Sequence, residues 1–298
     1  MGYIHQLVIT LRMSLVRHGS GLEANVRAFW SQVHPVFMLP PLAASLFGAL
    51  LATTIDPTLA AVHVTAMFAA VYTAHVKDGY VDFHVRDEDD DHPLTVGGCR
   101  IGIAASTTIF VGCCLLLVVL ANPLAVGLTV PTWLIAFFHA PQLDTNPLTA
   151  TTGYPIGIAL AILGGYATQT GTLSAVVVGF ALVFLFLLSG IKVIDDAQDY
   201  EYDRSIAKRT VAVVVGPRRA YSIAYGLILT ALFGVAALAV VRVFPPGAVL
   251  AALAFAAVAV VARQADPEIA TMLLIRGSYV FLAVLVAAVW FEPLAALG

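Results

Sequence analysis

The sequence predicts an all-α membrane protein of about nine transmembrane helices, and three of its features carry that reading. Of its 298 residues, 60% are hydrophobic and only 11% are charged, whereas a soluble domain is about half apolar and a quarter charged. The mean hydropathy is +0.92. The apolar residues are gathered into runs, and a chain of this length has room for roughly nine spans of about 20 residues each. The basic residues, finally, fall almost entirely on one side of those runs. A net charge of −3 and the lack of a basic tail give no footing to a nucleic-acid partner, and nothing in the sequence reports an oligomeric state.

Taken in order, residues 1–33 read as an N-terminal cytoplasmic or interfacial segment. They carry Arg12, Arg17 and Arg27 and lack the uncharged run of a signal peptide. Residues 34–298 form a single transmembrane domain. Its apolar runs lie near 34–55, 57–77, 100–121, 123–140, 153–169, 172–193, 219–242, 246–262 and 270–291. The 123–140 and 246–262 runs are short. Pro131 is expected to kink the first, because it removes a backbone donor and crowds the preceding turn. Gly153, Gly157, Gly164 and Gly165 are expected at close helix contacts, and His63, His75 and His139 at helix–helix hydrogen bonds. Cys99, Cys113 and Cys114 lack metal-ligand spacing and read as core or lipid-facing residues.

Orientation follows from the charges. With the N-terminus in the cytoplasm, the inside segments and their helix ends hold thirteen of the fifteen Lys and Arg residues. Arg242 is left outside and Arg276 within the last helix, which satisfies the positive-inside rule. The chain is therefore expected to be a multi-pass protein of the cell membrane, among membrane lipids, with both of its acid-rich segments cytoplasmic.

Those segments are KDGYVDFHVRDEDDD (77–91) and IDDAQDYEYDR (194–204), and they contain twelve of the eighteen acidic residues. Asp78 and Asp82 are one helical turn apart, and Asp195, Asp199 and Asp203 repeat the step. On a helix such residues stack on one face. Like charges at that spacing repel, so the face calls for a cation. A shift of 117 residues carries Asp78 onto Asp195 and Asp82 onto Asp199, a faint echo of two similar ion-binding helix ends. Glu88–Asp91, adjacent acids without a common face, read as a solvated loop. Asp78, Asp82, Asp195, Asp196, Asp199 and Asp203 begin at the ends of apolar helices, where an acid is by default a functional hypothesis.

Magnesium suits such carboxylates, since it takes oxygen ligands and is typically held by one or two of them together with substrate phosphates. Asp78, Asp82, Asp195, Asp196, Asp199 and Asp203 are the expected metal ligands, with Asp78, Asp82, Asp199 and Asp203 central to catalysis. Arg86, Lys192, Lys208 and Arg209 are near in sequence and would bind a diphosphate, although each also fits a positive-inside anchor. Metal and cations together make a diphosphate a good leaving group. The apolar helices suit a hydrocarbon tail, so the expected substrates are an isoprenyl diphosphate and a lipophilic acceptor. Tyr80, Phe83, Tyr200 and Tyr202 would either line the cavity and shield a cation or sit in an interfacial belt.

DDAQDYEYDRSIAKRTVAVVVG (195–216) resembles the second aspartate-rich signature of the UbiA superfamily of intramembrane prenyltransferases. Asp195, Asp196, Asp199, Asp203, Arg204, Thr210 and Gly216 stand at the signature's offsets. The first signature, N-D-x-x-D-x-x-x-D, is matched by Asp82, with Asp78 in place of Asn; Gly79 and Arg86 replace its other two acids. HPLTVGG (92–98), FFHAPQL (137–143) and HPVFMLPPLAASLFG (34–48) resemble further family segments. His34 stands where Arg is usual, and Asp144 where many members carry Lys or Arg. The resemblance runs from about residue 34 to 216. It implies a barrel-like bundle around a central cavity, Mg²⁺ dependence, and prenyl transfer to a lipid, carotenoid or quinone-type acceptor. An archaeal-type lipid or a carotenoid is the leading expectation.

Two other classes also place carboxylates at a membrane face. A divalent-cation transporter would want them on helices near the midplane, whereas these sit at one side. A CDP-alcohol phosphotransferase would explain the Asp-Gly at 78–79 but not the second cluster, and its Ala-Arg is missing.

Overall fold

The computed structural model describes residues 14–206, 208–292 and 294; Arg12 and the rest of 1–13 lie outside the described residues. Apart from one antiparallel bridge between Val16 and Leu94, the described regular structure is helical. In chain order the helices are α1 (Gly21–Trp30), α2 (Pro35–Leu50), α3 (Pro57–His84), α4 (Val96–Leu120), α5 (Pro123–Phe138) and α6 (Pro147–Thr170). They are followed by α7 (Ala175–Gln198), two short turns α8 (Tyr200–Ser205) and α9 (Val211–Val215), then α10 (Pro217–Val240), α11 (Ala248–Ala262) and α12 (Pro267–Phe291).

Each of the nine predicted apolar runs coincides with one of these helices. Length separates them, however. Six (α3, α4, α6, α7, α10 and α12) are long and apolar enough to cross a membrane, and α1 with α2 makes a seventh candidate bent by 65°. The apolar helices α5 and α11 have 16 and 15 residues. At 1.5 Å per residue they fall short of a hydrocarbon core of about 30 Å. The predicted count of nine crossings is therefore not carried by helix length.

The helix starts are written in the sequence. Asp56, Thr95, Asn122, Asn146, Ser174 and Thr210 each accept a hydrogen bond from a backbone N–H of the first turn. Pro follows the cap at α3, α5 and α6, where its missing donor costs nothing. Gly171 ends α6 with a φ of 70°, a conformation glycine adopts without strain.

The long helices close into a ring: α3 packs on α4, α5 and α2, α5 on α6, α6 on α7, α7 on α10, α10 on α11, and α11 on α12. The closing contact, α12 on α2, is slight. It is tied by a consequence of proline. Pro40 and Pro41, inside α2, have no N–H to give the carbonyls of Val36 and Phe37. Tyr279 of α12 donates its hydroxyl to the Val36 carbonyl, and Tyr154 of α6 donates to that of Phe37 at 3.4 Å.

Close packing falls where small residues allow it. A Cβ at Gly165 would lie 2.1 Å from the Ser45 carbonyl oxygen, and one at Gly48 would lie 2.0 Å from that of Ile162, so α2 and α6 touch backbone to backbone. Gly164 faces the His63 ring, whose Nδ1 is bonded to Ser45 Oγ at 2.7 Å, as expected for that histidine. Gly153 and Gly157 differ from the expectation. Gly157 has nothing within 4 Å of a Cβ because it opens onto a cavity.

Candidate active site

That cavity, of about 470 Å³, lies inside the ring between α2, α3, α5, α6, α7 and α12. Its walls are mainly apolar. Its polar groups gather where α3, α5 and α7 end and α2 begins: Asp78, His139, Lys192, Asp195, His34 and His75 all line it. The two acidic segments thus border a single cavity, Asp78 from one and Asp195 from the other.

The acids reach that position because α3 and α7 outrun their apolar stretches. The hydropathy of the sequence stops at residues 77 and 193, yet the helices continue to His84 and Gln198 and carry Asp78, Asp82, Asp195 and Asp196 with them. Backbone hydrogen bonding does not end where side-chain polarity begins. Asp199 closes α7 with an exposed side chain. Asp203, one turn on in α8, is buried again.

At the α7 end, Lys192 Nζ lies 2.7 Å from Asp196 Oδ1 and 3.0 Å from Asp195 Oδ2. Asp196 is 3% exposed, and its Oδ2 has no hydrogen-bond partner among the described residues. A buried carboxylate oxygen left unpaired carries a full desolvation penalty. An all-oxygen donor set of this kind fits a hard divalent cation.

At the α3 end the arrangement is different. Arg86 does not line the cavity. Its guanidinium donates to Asp144 Oδ2 at 2.6 Å and lies 3.5 Å from Glu88 Oε1 and 3.8 Å from Asp82 Oδ1. Glu88 does not belong to a solvated loop as expected: its side chain is 7% exposed. It accepts from the Tyr202 hydroxyl at 3.1 Å and faces Lys208 Nζ at 3.9 Å. The backbone N–H of Arg209 donates to the Asp144 carbonyl at 3.0 Å. The second acidic segment therefore folds directly over the first. Lys208 stands within Coulombic reach of Asp78, Asp82 and Asp203. Burial pushes the Asp203 carboxyl up to about 6, against the pull of Lys208.

Two departures from the first aspartate signature are explained by partners. Arg86, which replaces an acid, meets Asp144, which stands where many members carry a cation, at 2.6 Å. Gly79, which replaces the other acid, lies against His92, whose Nε2 would be 2.4 Å from a Cβ at that position. Of the other expected site residues, Arg209 has an exposed side chain. Tyr200 packs against the apolar core outside the cavity wall.

Sequence reasoning missed Glu88, Asp144, Tyr154 and Tyr279, and it misjudged His75 and His139. Neither histidine makes a helix-to-helix hydrogen bond among the described residues. His75 stacks 5.0 Å from His34 at the cavity wall, and His139 Nε2 is 3.9 Å from Asp78 Oδ2. The position of His75 three residues before Asp78 was a usable signal, because it shares that face of α3.

Comparison with curated protein sequences finds no match. The profile of the UbiA prenyltransferase family matches residues 37–275. Among solved structures, a UbiA homologue from Archaeoglobus fulgidus bound to GPP and Mg²⁺ superposes with a TM-score of 0.67 at 15% identity, covering 89% of this chain and 99% of that one. A digeranylgeranylglyceryl phosphate synthase gives 0.69 at 13%, covering 90% and 98%. An apo UbiA homologue from Aeropyrum pernix K1 gives 0.64 at 16%, covering 84% and 96%. At such identities these structures speak for the fold. The profile, spanning most of the chain and both acidic segments, identifies the protein as a multi-pass membrane member of the UbiA prenyltransferase family.

Proposed function

We propose that this protein transfers a prenyl group from an isoprenyl diphosphate to a neutral lipophilic acceptor inside the membrane, with Mg²⁺ as its cofactor. The observation that carries the reading is the shared cavity, apolar along its length and bordered at one end by Asp78 of α3 and Asp195 of α7. Solved relatives bound to GPP with Mg²⁺, and to DMAPP with Mg²⁺, support the substrate class.

Asp78, Asp82, Asp195, Asp196, Asp199 and Asp203 would hold the metal, which when bound neutralises diphosphate oxygens and eases their departure. Lys192, placed among Asp195 and Asp196 on the cavity wall, binds the diphosphate, and Lys208, 3.9 Å from Glu88, adds charge beside it. Arg209 adds charge at the rim. Arg86 acts through its neighbours, holding Asp82 and Glu88 in place. The bond between prenyl C1 and oxygen breaks with its electrons going to the diphosphate. Phe37, His34 and His75 offer π faces to the allylic cation. The acceptor then attacks C1 and loses a proton.

Lys192 is the sole Lys or Arg among the described cavity-lining residues, and two carboxylates engage it. That leaves no cation for a carboxylate or phosphate on the acceptor and favours a carotenoid or quinone-type molecule over a phosphorylated lipid. In the membrane, α5 and α11 complete nine crossings by local thinning of the bilayer around their short apolar lengths, with the N-terminus and both acidic segments cytoplasmic. The exposed Leu22, Val26 and Trp30 of α1, spaced at i, i+4 and i+8, rest in the interface.

The test is incubation of purified protein with Mg²⁺, labelled geranylgeranyl diphosphate and a panel of neutral and anionic acceptors. Diphosphate release is expected to fall by about 10²–10³-fold in Asp82→Ala and in Asp199→Ala. Full activity in both variants would overturn the site assignment.

A further inference from the structure

Beyond the cavity, three potential metal ligands converge where the N-terminal segment, the end of α3, the 85–95 loop and the start of α4 meet. One ligating atom from each of His84, His92 and Cys99 lies within 4.8 Å of the others. Their sequence separation hides them, since no two are spaced as in a metal-binding motif. They are brought together by Leu94, whose carbonyl oxygen is 3.0 Å from His84 Nε2 and 3.2 Å from His92 Nδ1. A histidine that ligates a metal through one nitrogen commonly donates the other N–H to a backbone carbonyl, which fixes its tautomer. The Leu94 carbonyl can accept from His84 Nε2, which leaves His84 Nδ1 for a ligand, while His92 Nδ1 lies 3.2 Å from both the carbonyl oxygen and the N–H of Leu94.

His92 is 5% exposed, and its Nε2 has no hydrogen-bond partner among the described residues. That nitrogen packs against Gly79 of α3, 2.4 Å from where a Cβ would stand. Cys99 is 0% exposed and free of any disulfide. The aspartates of the cavity offer oxygen to a hard ion; this set offers two nitrogens and a sulfur.

We infer that His84, His92 and Cys99 form a second metal site, for a borderline-soft divalent cation of the zinc type and not for magnesium. On binding, the Cys99 thiol loses its proton to solvent and no electron is transferred. An ion there would pin the 85–95 loop, which carries Arg86 and Glu88, to both α3 and α4. It would act by positioning those residues and takes no part in the reaction.

The experiment uses the full-length protein in detergent, stripped with a chelator and titrated with Zn²⁺ in the presence of saturating Mg²⁺. Bound zinc is measured by mass spectrometry, and affinity by competition with a chromogenic chelator. One zinc per chain is expected, weakened at least about tenfold in Cys99→Ser and in His84→Gln and unchanged in the Asp195→Asn/Asp196→Asn double variant. Co²⁺ loaded into the unmodified protein is expected to show a thiolate-to-cobalt charge-transfer band, a readout that depends on no variant folding. The inference is overturned if wild type binds no zinc under excess Mg²⁺, if the cobalt band is missing, or if zinc is lost in the aspartate double variant instead.

Discussion

The two acidic helix ends do different work with similar residues. At the end of α7, one lysine meets two carboxylates, and a buried Asp196 oxygen is left without a partner. At the end of α3, Arg86 is surrounded by Asp82, Glu88 and Asp144, and Lys208 and Tyr202 attend to Glu88. Both ends keep buried carboxylate oxygens without a hydrogen-bond partner among the described residues, Asp196 Oδ2 at one and Glu88 Oε1 and Asp144 Oδ1 at the other. The α3 end spends most of its charge on itself, leaving Asp78 toward the cavity. Each departure of the first signature thus has a partner nearby: Arg86 meets Asp144, and Gly79 makes room for His92.

The sharpest break in that comparison is at Arg86. Removing it as Arg86→Leu leaves Glu88 and Asp144, with side chains 7% and 12% exposed, without their main cation. A loss of about 3–5 kcal/mol in thermal or denaturant unfolding is expected. The exchanged pair Arg86→Asp/Asp144→Arg restores the opposite charges and should recover more than half of it. A double variant no better than the single would mean that the two charges are not coupled. Next comes Gly79. Gly79→Ala drives a methyl into the His92 ring and should cost about 1–3 kcal/mol. Combining it with His92→Ala should return most of that stability; failure to do so would place the strain elsewhere.

The smallest effect concerns the open end. Because burial raises the Asp203 carboxyl to about 6, it is protonated below that pH. Mg²⁺ affinity should be full above about pH 6 and fall roughly tenfold per unit below it, as a proton competes for one ligand. In metal-free protein the sign is reversed: a raised carboxyl favours the protonated folded state, so stability drops as pH rises from the unfolded carboxylate range, about 4, through about 6. Isothermal titration with Mg²⁺ and melting curves across pH measure the two. A pH-independent affinity would remove Asp203 from the metal ligands.

Much of this was legible beforehand. Helix starts are encoded locally, by Asp, Asn, Ser or Thr followed in several cases by Pro, and apolar runs report which segments avoid water. The second aspartate segment keeps its signature in one short stretch, so it could be read without knowing the fold. Glu88 was misread because a run of acids looks solvated until another segment covers it. His75 was misread because a histidine in a span looks the same whether it faces a helix or a cavity.

The sequence by itself determined what is set within a few turns of chain: the helices, their membrane character, and the one-turn spacing that stacks Asp78 on Asp82 and Asp195 on Asp199. The tertiary structure alone decided which residues met across the ring. It set Arg86 against Asp144, His92 against Gly79, and Tyr279 against the carbonyl released by Pro40. The reason is physical. Capping and helical periodicity act over three or four residues, whereas burial leaves charges and carbonyls unpaired until packing brings a partner from a distant part of the chain.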